Sequence, residues 1–385
     1  MCYNFKHEVF ILLEIWKGKQ ILQLKDNCIE QWFDVLNHGL VEDRGFSLND
    51  SNIEEIKSNI KKDYIEYLMS CSMDKNFHGY YVFRDEQNTI VAVCRIVFEN
   101  GDYYLEGLET HRDHYRKGYA TKLLFQVLHE LKRNEIMKLY SIVRNHNTKS
   151  MNFHKKHGFT IIKEDNTNTK FSLNIENKIR KELFDQWARS YNNSVLKSEK
   201  EGTYPFAGYS EIKYSIIDMI SHTKKAKVLE MGVGTGEITK PLYDLGYDIT
   251  GVDLSDKMIE IAKIHMKKAA FIVADFSTAL NQISNKFDFI VFSYSIHHLN
   301  YNDQIELLLK LNDYLNEDGV IIIGDVSTFE VEEMNQLQNK YSAIWDDEEY
   351  YPILKKYKLS RLIDIYKLSY VQINEVAGVY KFRKK

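Results

Sequence analysis

Cysteine is scarce in this 385-residue chain: Cys2, Cys28, Cys71 and Cys94 are the whole supply, all in the first half, with no C-x-x-C pair. That excludes a disulfide scaffold and a thiolate zinc cluster, so reduced thiols in the cytoplasm and no metal are expected. No apolar run is long enough to span a bilayer. Val9–Leu13, flanked by Glu8 and Glu14, suits a strand paired through Lys17-Gly18-Lys19 with Gln20–Leu24. Internal repeats and low-complexity tracts are absent. Clustered positive charge is missing from the C-terminal half, where 27 Lys and Arg face 31 Asp and Glu. That balance disfavours a nucleic-acid partner, whose binding rests on clustered basic residues. What is present suffices for two domains, each with its own core.

The most informative stretch is Val228-Leu229-Glu230-Met231-Gly232-Val233-Gly234-Thr235-Gly236, an apolar strand ending in an acid and three alternating glycines. Such a loop turns tightly and lets a ligand approach where a Cβ would block it. The next strand, Tyr247–Asp253, ends in an acid 17 residues beyond Gly236, where a carboxylate accepts hydrogen bonds from both hydroxyls of a ribose. Val228–Glu230, Ile249–Asp253, Ile272–Asp275, Phe289–Phe292 and Val320–Gly324 are short apolar runs separated by helix-length segments such as Lys257–Lys267 and Gln304–Leu315. This alternation predicts a parallel sheet covered on both faces, with ligands beyond the carboxyl ends of its strands. Glu230, Asp253 and Asp275 all fall at that edge. Asp275 taken alone also reads as a helix N-cap.

Val228–Gly236 resembles motif I of the class I S-adenosylmethionine-dependent methyltransferases, in which an acid precedes G-x-G-x-G. Phe271–Phe276 resembles the strand whose terminal Asp meets the adenine amino group, Phe287–Ser293 the fourth strand, and Leu311–Gly324 the following helix, turn and fifth strand. The resemblance covers about residues 178–385. Phe184–Tyr191, Tyr204–Tyr209 and Ser293–Leu299 are most similar to members acting on small molecules. It implies a cofactor site made of Tyr191, Glu230, Gly232, Gly234, Gly236, Asp253, Leu254, Asp275, Phe276 and Ser293. No N-P-P-Y-like tetrapeptide follows the fourth strand, where Ser293-Tyr294-Ser295-Ile296 stands, which weighs against amino methylation of bases and glutamine amides. His297 or His298 follows at once. One of them, with His298 preferred, is a candidate base or acceptor-orienting group; the alternative is a packed loop histidine. Trp345, Tyr350 and Tyr351 are either a substrate lid or core.

The first half carries a second strand–turn–helix: Tyr103–Thr110, then His114-Tyr115-Arg116-Lys117-Gly118-Tyr119-Ala120 and an amphipathic helix over Thr121–Arg133. Amides at that helix start would cradle a pyrophosphate, aided by the helix dipole. The turn resembles motif A of the GNAT superfamily of acyl-CoA N-acyltransferases, Q/R-x-x-G-x-G/A, with Tyr115 departing from the usual Gln/Arg. Ser141–Asn147 and Ser150–Phe159 resemble its fifth strand and fourth helix. The resemblance implies acetyl-CoA or another acyl-CoA held by Arg116, Lys117, Gly118, Tyr119, Ala120, Thr121 and Asn147. His154 stands where many members place a tyrosine acid, and is either that acid or an inert helix residue. Glu106 and Glu109 lie where relatives carry a base. Their odd separation predicts opposite faces, so that only one meets the cleft.

Residues 1–111 hold 11 Lys and Arg against 19 Asp and Glu, and residues 112–174 hold 13 against 5. The second segment suits a phosphate-rich coenzyme and the first a cationic amine. The fold expected is α/β: an N-terminal GNAT-like mixed α+β domain over 1–174, followed by a Rossmann-like seven-stranded methyltransferase domain over 178–385. The function expected is a cytoplasmic bifunctional transferase. It would acetylate an amine and methylate a small molecule, with no nucleic-acid or membrane partner; the oligomeric state is left open. A coenzyme-A sensor without turnover, or a protein- or RNA-modifying enzyme, are the rivals.

Overall fold

In Lys138–Arg144 every second residue, Leu139, Ser141 and Val143, is buried, and the facing strand Asn168–Asn174 buries Thr169, Phe171 and Leu173. This period of two, set by the pleat, makes them neighbours in one sheet. The computed structural model describes residues 13–43 and 53–385. By their contacts these form two compact units that divide between Arg180 and Lys181. The division lies inside the helix Ile175–Trp187, which begins four residues before the expected Ile179, because Ile175, Lys178 and Ile179 share its buried face.

The first unit is a seven-stranded sheet of β1 (Leu13–Trp16), β2 (Phe77–Arg84), β3 (Ile90–Glu99), β4 (Asp102–Thr110), β5 (Lys138–Arg144), β6 (Thr160–Glu164) and β7 (Asn168–Asn174). Its order is β1-β2-β3-β4-β5-β7-β6. The helix Tyr119–Arg133 buries Leu123, Leu124, Val127, Leu128 and Leu131, one stripe of a helical period. The expected pairing of Val9–Leu13 with Gln20–Leu24 is corrected. Residues 9–12 lie outside the described residues, and Gly18–Gln23 is a 3₁₀ helix in which Ile21 is buried and Leu22 exposed. β1 instead pairs antiparallel with β2, Leu13 opposite Phe83 and Trp16 opposite Tyr80.

Two irregularities shape this sheet. β4 and β5 run parallel but are in register only at Tyr104 and Tyr140, so they part beyond that point. Along β4 the register against β3 slips: Glu106 faces Arg95 and Glu109 faces Val93. Three residues of β4 thus span two of β3, with Gly107 at φ +56° between them. The extra residue of such a bulge returns Glu106 and Glu109 to the same side of the sheet, overturning the expected alternation.

The second unit is built on β8 (Lys227–Met231), β9 (Asp248–Asp253), β10 (Ala270–Val273), β11 (Phe287–Ser293), β12 (Leu315–Val326), β13 (Tyr366–Gln372) and β14 (Ala377–Lys384). The order is β10-β9-β8-β11-β12-β14-β13; the first five strands are parallel, and β14 joins β12 antiparallel. Alternate residues feed two cores. Val228, Val291, Val320 and Ile322 go to one, and Leu229, Met231, Ile290, Phe292, Ile321 and Ile323 to the other. A sheet covered on both faces needs such continuous apolar runs, and it leaves the carboxyl edge as the open place for ligands. Among the described residues no helix is long and apolar enough to cross a membrane.

Candidate functional site

In the second unit the loop after β8 runs directly into the edge where β9 and β11 end. Gly232 has φ +85°, and a Cβ there would come within 2.4 Å of the Ser295 Cβ. The loop can therefore close only on glycine. A Cβ on Gly234 would meet nothing within 4 Å, which leaves room above the loop. Ser295 Oγ donates to the Met231 carbonyl at 2.7 Å and ties the β11 end to the glycine turn. Thr235 Oγ1 donates to Asn192 Oδ1 at 2.9 Å, bringing the neighbouring Tyr191 to the same loop.

Glu230 is 1% exposed, and its Oε2 is buried with no hydrogen-bond partner among the described residues. Burial, with the negative charge of Asp253 adding to it, pushes the carboxyl up to about 8. Asp253, also buried, is pushed up to about 6 by burial, against hydrogen bonds from the Ser255 and Gly234 amides, each 2.8 Å long. Ser293 Oγ and Tyr294 OH are buried at the end of β11 with no partner among the described residues, and Tyr294 holds φ +48°. Orphaned polar atoms around a glycine turn with open space above it fit a ligand rich in hydroxyl and amino groups, as S-adenosylmethionine is. Leu254 is half-buried between Asp253 and Ser255, and the Phe276 ring stands 3.7 Å from the Cβ direction of Gly232.

Asp275 takes the capping alternative. It caps the helix Phe276–Leu280, its Oδ1 accepting from the Ser277 and Thr278 amides at 3.0 Å. Burial raises its pKa, but the Ser277 and Thr278 hydrogen bonds outweigh that and hold it below the ordinary range. Most of its accepting capacity is used locally, so any adenine contact falls to what remains.

His297 is buried, with Nδ1 2.7 Å from Oδ1 of the fully buried Asp325. His298 Nδ1 stands 2.9 Å from both Glu349 oxygens, and its ring lies 5.1 Å from that of Phe184. Both histidines thus have a carboxylate at hand. Asp325 and Glu349 were missed in the sequence. Asp325 follows the apolar run of β12 as the other edge acids follow theirs; Glu349, in an irregular segment 51 residues from His298, gives no local signal. Trp345 and Tyr351 are core, packed on Tyr204 at 4.8 and 5.8 Å between centroids, and Tyr350 is exposed.

In the first unit the turn before the helix Tyr119–Arg133 holds Arg116 at φ +61° and Gly118 at φ +82°. Gly118 is the N-cap and offers no side chain to the first amides, Tyr119, Ala120 and Thr121, which an anion can therefore take. Arg116, Lys117 and Thr121 are exposed around them. Acetyl-CoA is expected to slow amide exchange across residues 116–123. Gly118→Val should weaken its binding at least tenfold, because φ +82° strains a β-branched residue. Unchanged exchange at saturating coenzyme would remove this site. Asn147 Oδ1 caps the helix Thr148–Lys156 by accepting from the Ser150 amide at 3.0 Å.

Glu106 pairs with Arg95. His154 is not placed as an acid. It is 4% exposed, its Nδ1–H donates to the Ser150 carbonyl at 2.7 Å, and its ring stacks on Phe171 at 5.1 Å and lies 4.7 Å from Phe159. A carbonyl accepts only, so Nδ1 carries the proton and Nε2 of the neutral ring has none to give. Burial lowers its pKa despite the Ser150 bond. His154→Ala is accordingly expected to cost this unit about 2–4 kcal/mol of stability, as a core truncation does, in denaturant unfolding. Coenzyme affinity should stay unchanged.

Each half of the chain matches a known protein family. Residues 228–319 match the family described as Methyltransferase domain, and residues 47–159 the Acetyltransferase (GNAT) family. An uncharacterized methyltransferase of Alkaliphilus oremlandii is 38% identical over 160 residues, 41% of this chain and 73% of that protein. Among solved structures, magnesium protoporphyrin IX methyltransferase from Synechocystis with bound SAH aligns at 14% identity and TM-score 0.40, over 53% of this chain and all of that one. PaiA N-acetyltransferase from Thermoplasma acidophilum in complex with coenzyme A aligns at 16% and 0.32, over 42% of this chain and 99% of that one. Through its C-terminal half the chain belongs to the methyltransferase family, and its N-terminal half carries a domain of the GNAT acetyltransferase family.

Proposed function

We propose that the chain is a cytoplasmic transferase with two donor sites, S-adenosylmethionine in the C-terminal unit and acetyl-CoA in the N-terminal unit, each serving a small-molecule acceptor. The observation that carries the reading is the glycine turn 232–236, with the unpaired Glu230 Oε2, Ser293 Oγ and Tyr294 OH gathered at its edge. S-adenosylmethionine supplies an electrophilic methyl group. Asp253 would hold the ribose hydroxyls, and Glu230, ionised by a cationic neighbour, the positively charged end. Trp187, Tyr191, Phe206, Tyr209 and Tyr294 form a continuous aromatic wall, with ring centroids 4.8 to 6.3 Å apart, that keeps water from the transfer. His298, held by Glu349, is given the acceptor side.

In the N-terminal unit the parting of β4 from β5 and the amides after Gly118 support an acyl-CoA site, and the acidic strands beside it favour an amine acceptor. With His154 buried and Glu106 paired to Arg95, a second reading gains support there: coenzyme binding without turnover. The test uses the full chain with methyl-labelled S-adenosylmethionine and acetyl-CoA, offered separately to small-molecule, protein and RNA fractions. Label is expected in the small-molecule fraction. Label in RNA or protein would overturn the acceptor class, and coenzyme binding without thiol release would select the second reading.

A further inference from the structure

Beyond the methyl-donor site, three side chains converge that a donor site does not require. One ligand atom from each of His297, His298 and Glu349 lies within 4.8 Å of the others. We propose that they form a binding site for a divalent transition-metal cation of the zinc class, at the acceptor side of the methyltransferase unit.

Four observations carry this. First, the donor set is two imidazoles and one carboxylate, which suits zinc and its neighbours rather than magnesium or calcium, and three protein ligands leave a coordination position open. Second, the spacing fits. With metal–ligand distances of about 2.1 Å, two ligands of a tetrahedral site stand about 3.4 Å apart; His298 Nδ1 is 2.9 Å from both Glu349 oxygens, so a small side-chain shift would admit the cation between them. Third, Asp325 Oδ1 accepts from His297 Nδ1 at 2.7 Å, the arrangement that directs Nε2 of such a ring to a metal. Asp325 is fully buried, and its other oxygen has no partner among the described residues.

Fourth, the distant Glu349 segment is locked over the histidines. The Tyr350 amide donates to the His297 carbonyl at 2.8 Å. Gln304, itself wholly buried, donates from Nε2 to the carbonyls of Leu299 at 2.8 Å and Tyr350 at 2.6 Å, and accepts at Oε1 from Tyr357 OH at 2.7 Å. A buried amide satisfied on both ends fixes the loop in the one position that brings Glu349 to His298. The scarcity of cysteine gave no sign of this site, because its ligands are two histidines and a carboxylate brought together from distant segments.

Ser295, which packs against Gly232, lies two residues before His297, so the cation would stand at the same strand edge as the donor loop. Its open position would take an ionisable oxygen or sulfur of the acceptor and favour the deprotonated, nucleophilic form. That role rests on the methyltransferase reading; the binding of the cation does not, and the test separates the two. Full-length protein stripped with a chelator is titrated with Zn²⁺ against a chromophoric competitor, and with Co²⁺ to record its visible spectrum. One high-affinity Zn²⁺ per chain is expected, and a Co²⁺ spectrum of a site with nitrogen ligands. His298→Ala and Glu349→Gln should each weaken Zn²⁺ at least tenfold, and Asp325→Asn, which removes no ligand, by 10- to 100-fold. S-adenosylmethionine binding by the same variants reports that the unit is folded. Zn²⁺ affinity unchanged in His298→Ala and Glu349→Gln overturns the site, as does folded wild-type protein that takes up no Zn²⁺. If His298→Ala abolishes methyl transfer while no metal binds to wild type, a proton-sharing histidine–glutamate pair replaces the metal site.

Discussion

Asp253→Ala is expected to weaken S-adenosylmethionine binding by roughly 10²- to 10⁴-fold at pH 8, from two hydrogen bonds to a charged acceptor at about 1.5–3 kcal/mol each. In the structure Asp253 already accepts from the Gly234 and Ser255 amides, one on each oxygen. A carboxylate oxygen has capacity for a further donor, so the outer side of the group remains for the two hydroxyls of a ribose. The variant also loosens the glycine turn by releasing the Gly234 amide, and both effects act in the same direction. The pKa of about 6 adds a pH signature. Accepting from hydroxyls favours the ionised form, so affinity should be constant above pH 7 and fall, toward tenfold per unit, below about 6. Asp253→Asn should bind weakly at every pH and lose that slope. Calorimetry at pH 5 and pH 8 decides the matter, and equal affinities for wild type and Asp253→Ala would remove Asp253 from the site.

The parts of this design that can be read along the chain are those whose cause is local. β8, β9, β11 and β12 declare themselves because a strand buried on both faces must be apolar throughout, and the acids that end β8 and β9 mark the carboxyl edge. Gly118 and Gly232 likewise mark turns that only positive φ allows. What stayed hidden depends on partners far away in sequence. His154 reads as a reactive residue by its position in a motif, yet Phe159 and Phe171 enclose it and turn it into core. Glu106 and Glu109 obey alternation until one extra residue at Gly107 breaks it. Asp275 sits where an acid meets a cofactor, and the same position, one residue before a helix, commits it to the Ser277 and Thr278 amides. Glu349 reaches His298 only because Gln304 and Tyr350 hold its loop, a relation no periodicity contains. The edge hairpin β13–β14 went unread because Lys367, Lys381 and Arg383 interrupt its strands, which lack the continuous apolar run of the parallel ones.

Glu230 should make the methyltransferase unit less stable as pH rises, opposite to the usual behaviour of a paired carboxylate. Its folded pKa of about 8 lies above its ordinary value of 4.5, so between those limits the folded state keeps a proton that the unfolded chain gives up. The stabilising contribution, at most about 5 kcal/mol, is complete below about pH 4.5, declines through neutrality and is gone above about pH 8. Asp253, raised in the same direction, loses its contribution earlier, between about 3.8 and 6. Glu230→Gln cannot ionise and should flatten the profile from pH 6 to 9. At low pH the variant should be the less stable protein, since it leaves a buried amide poorly matched at a cost of about 1–3 kcal/mol. At pH 9 it should be the more stable, so the two curves cross between them. Denaturant unfolding of the full chain measures this, reading the transition that added S-adenosylmethionine shifts and that therefore belongs to this unit. Parallel curves across pH 6–9 would mean that Glu230 is ionised throughout and that the unpaired oxygen is satisfied by water. A cationic cofactor should reverse the effect by ionising the group, so its binding near pH 7 should release a proton. Titrations in buffers of different ionisation enthalpy would detect that proton, and its absence in Glu230→Gln would assign it to this carboxyl.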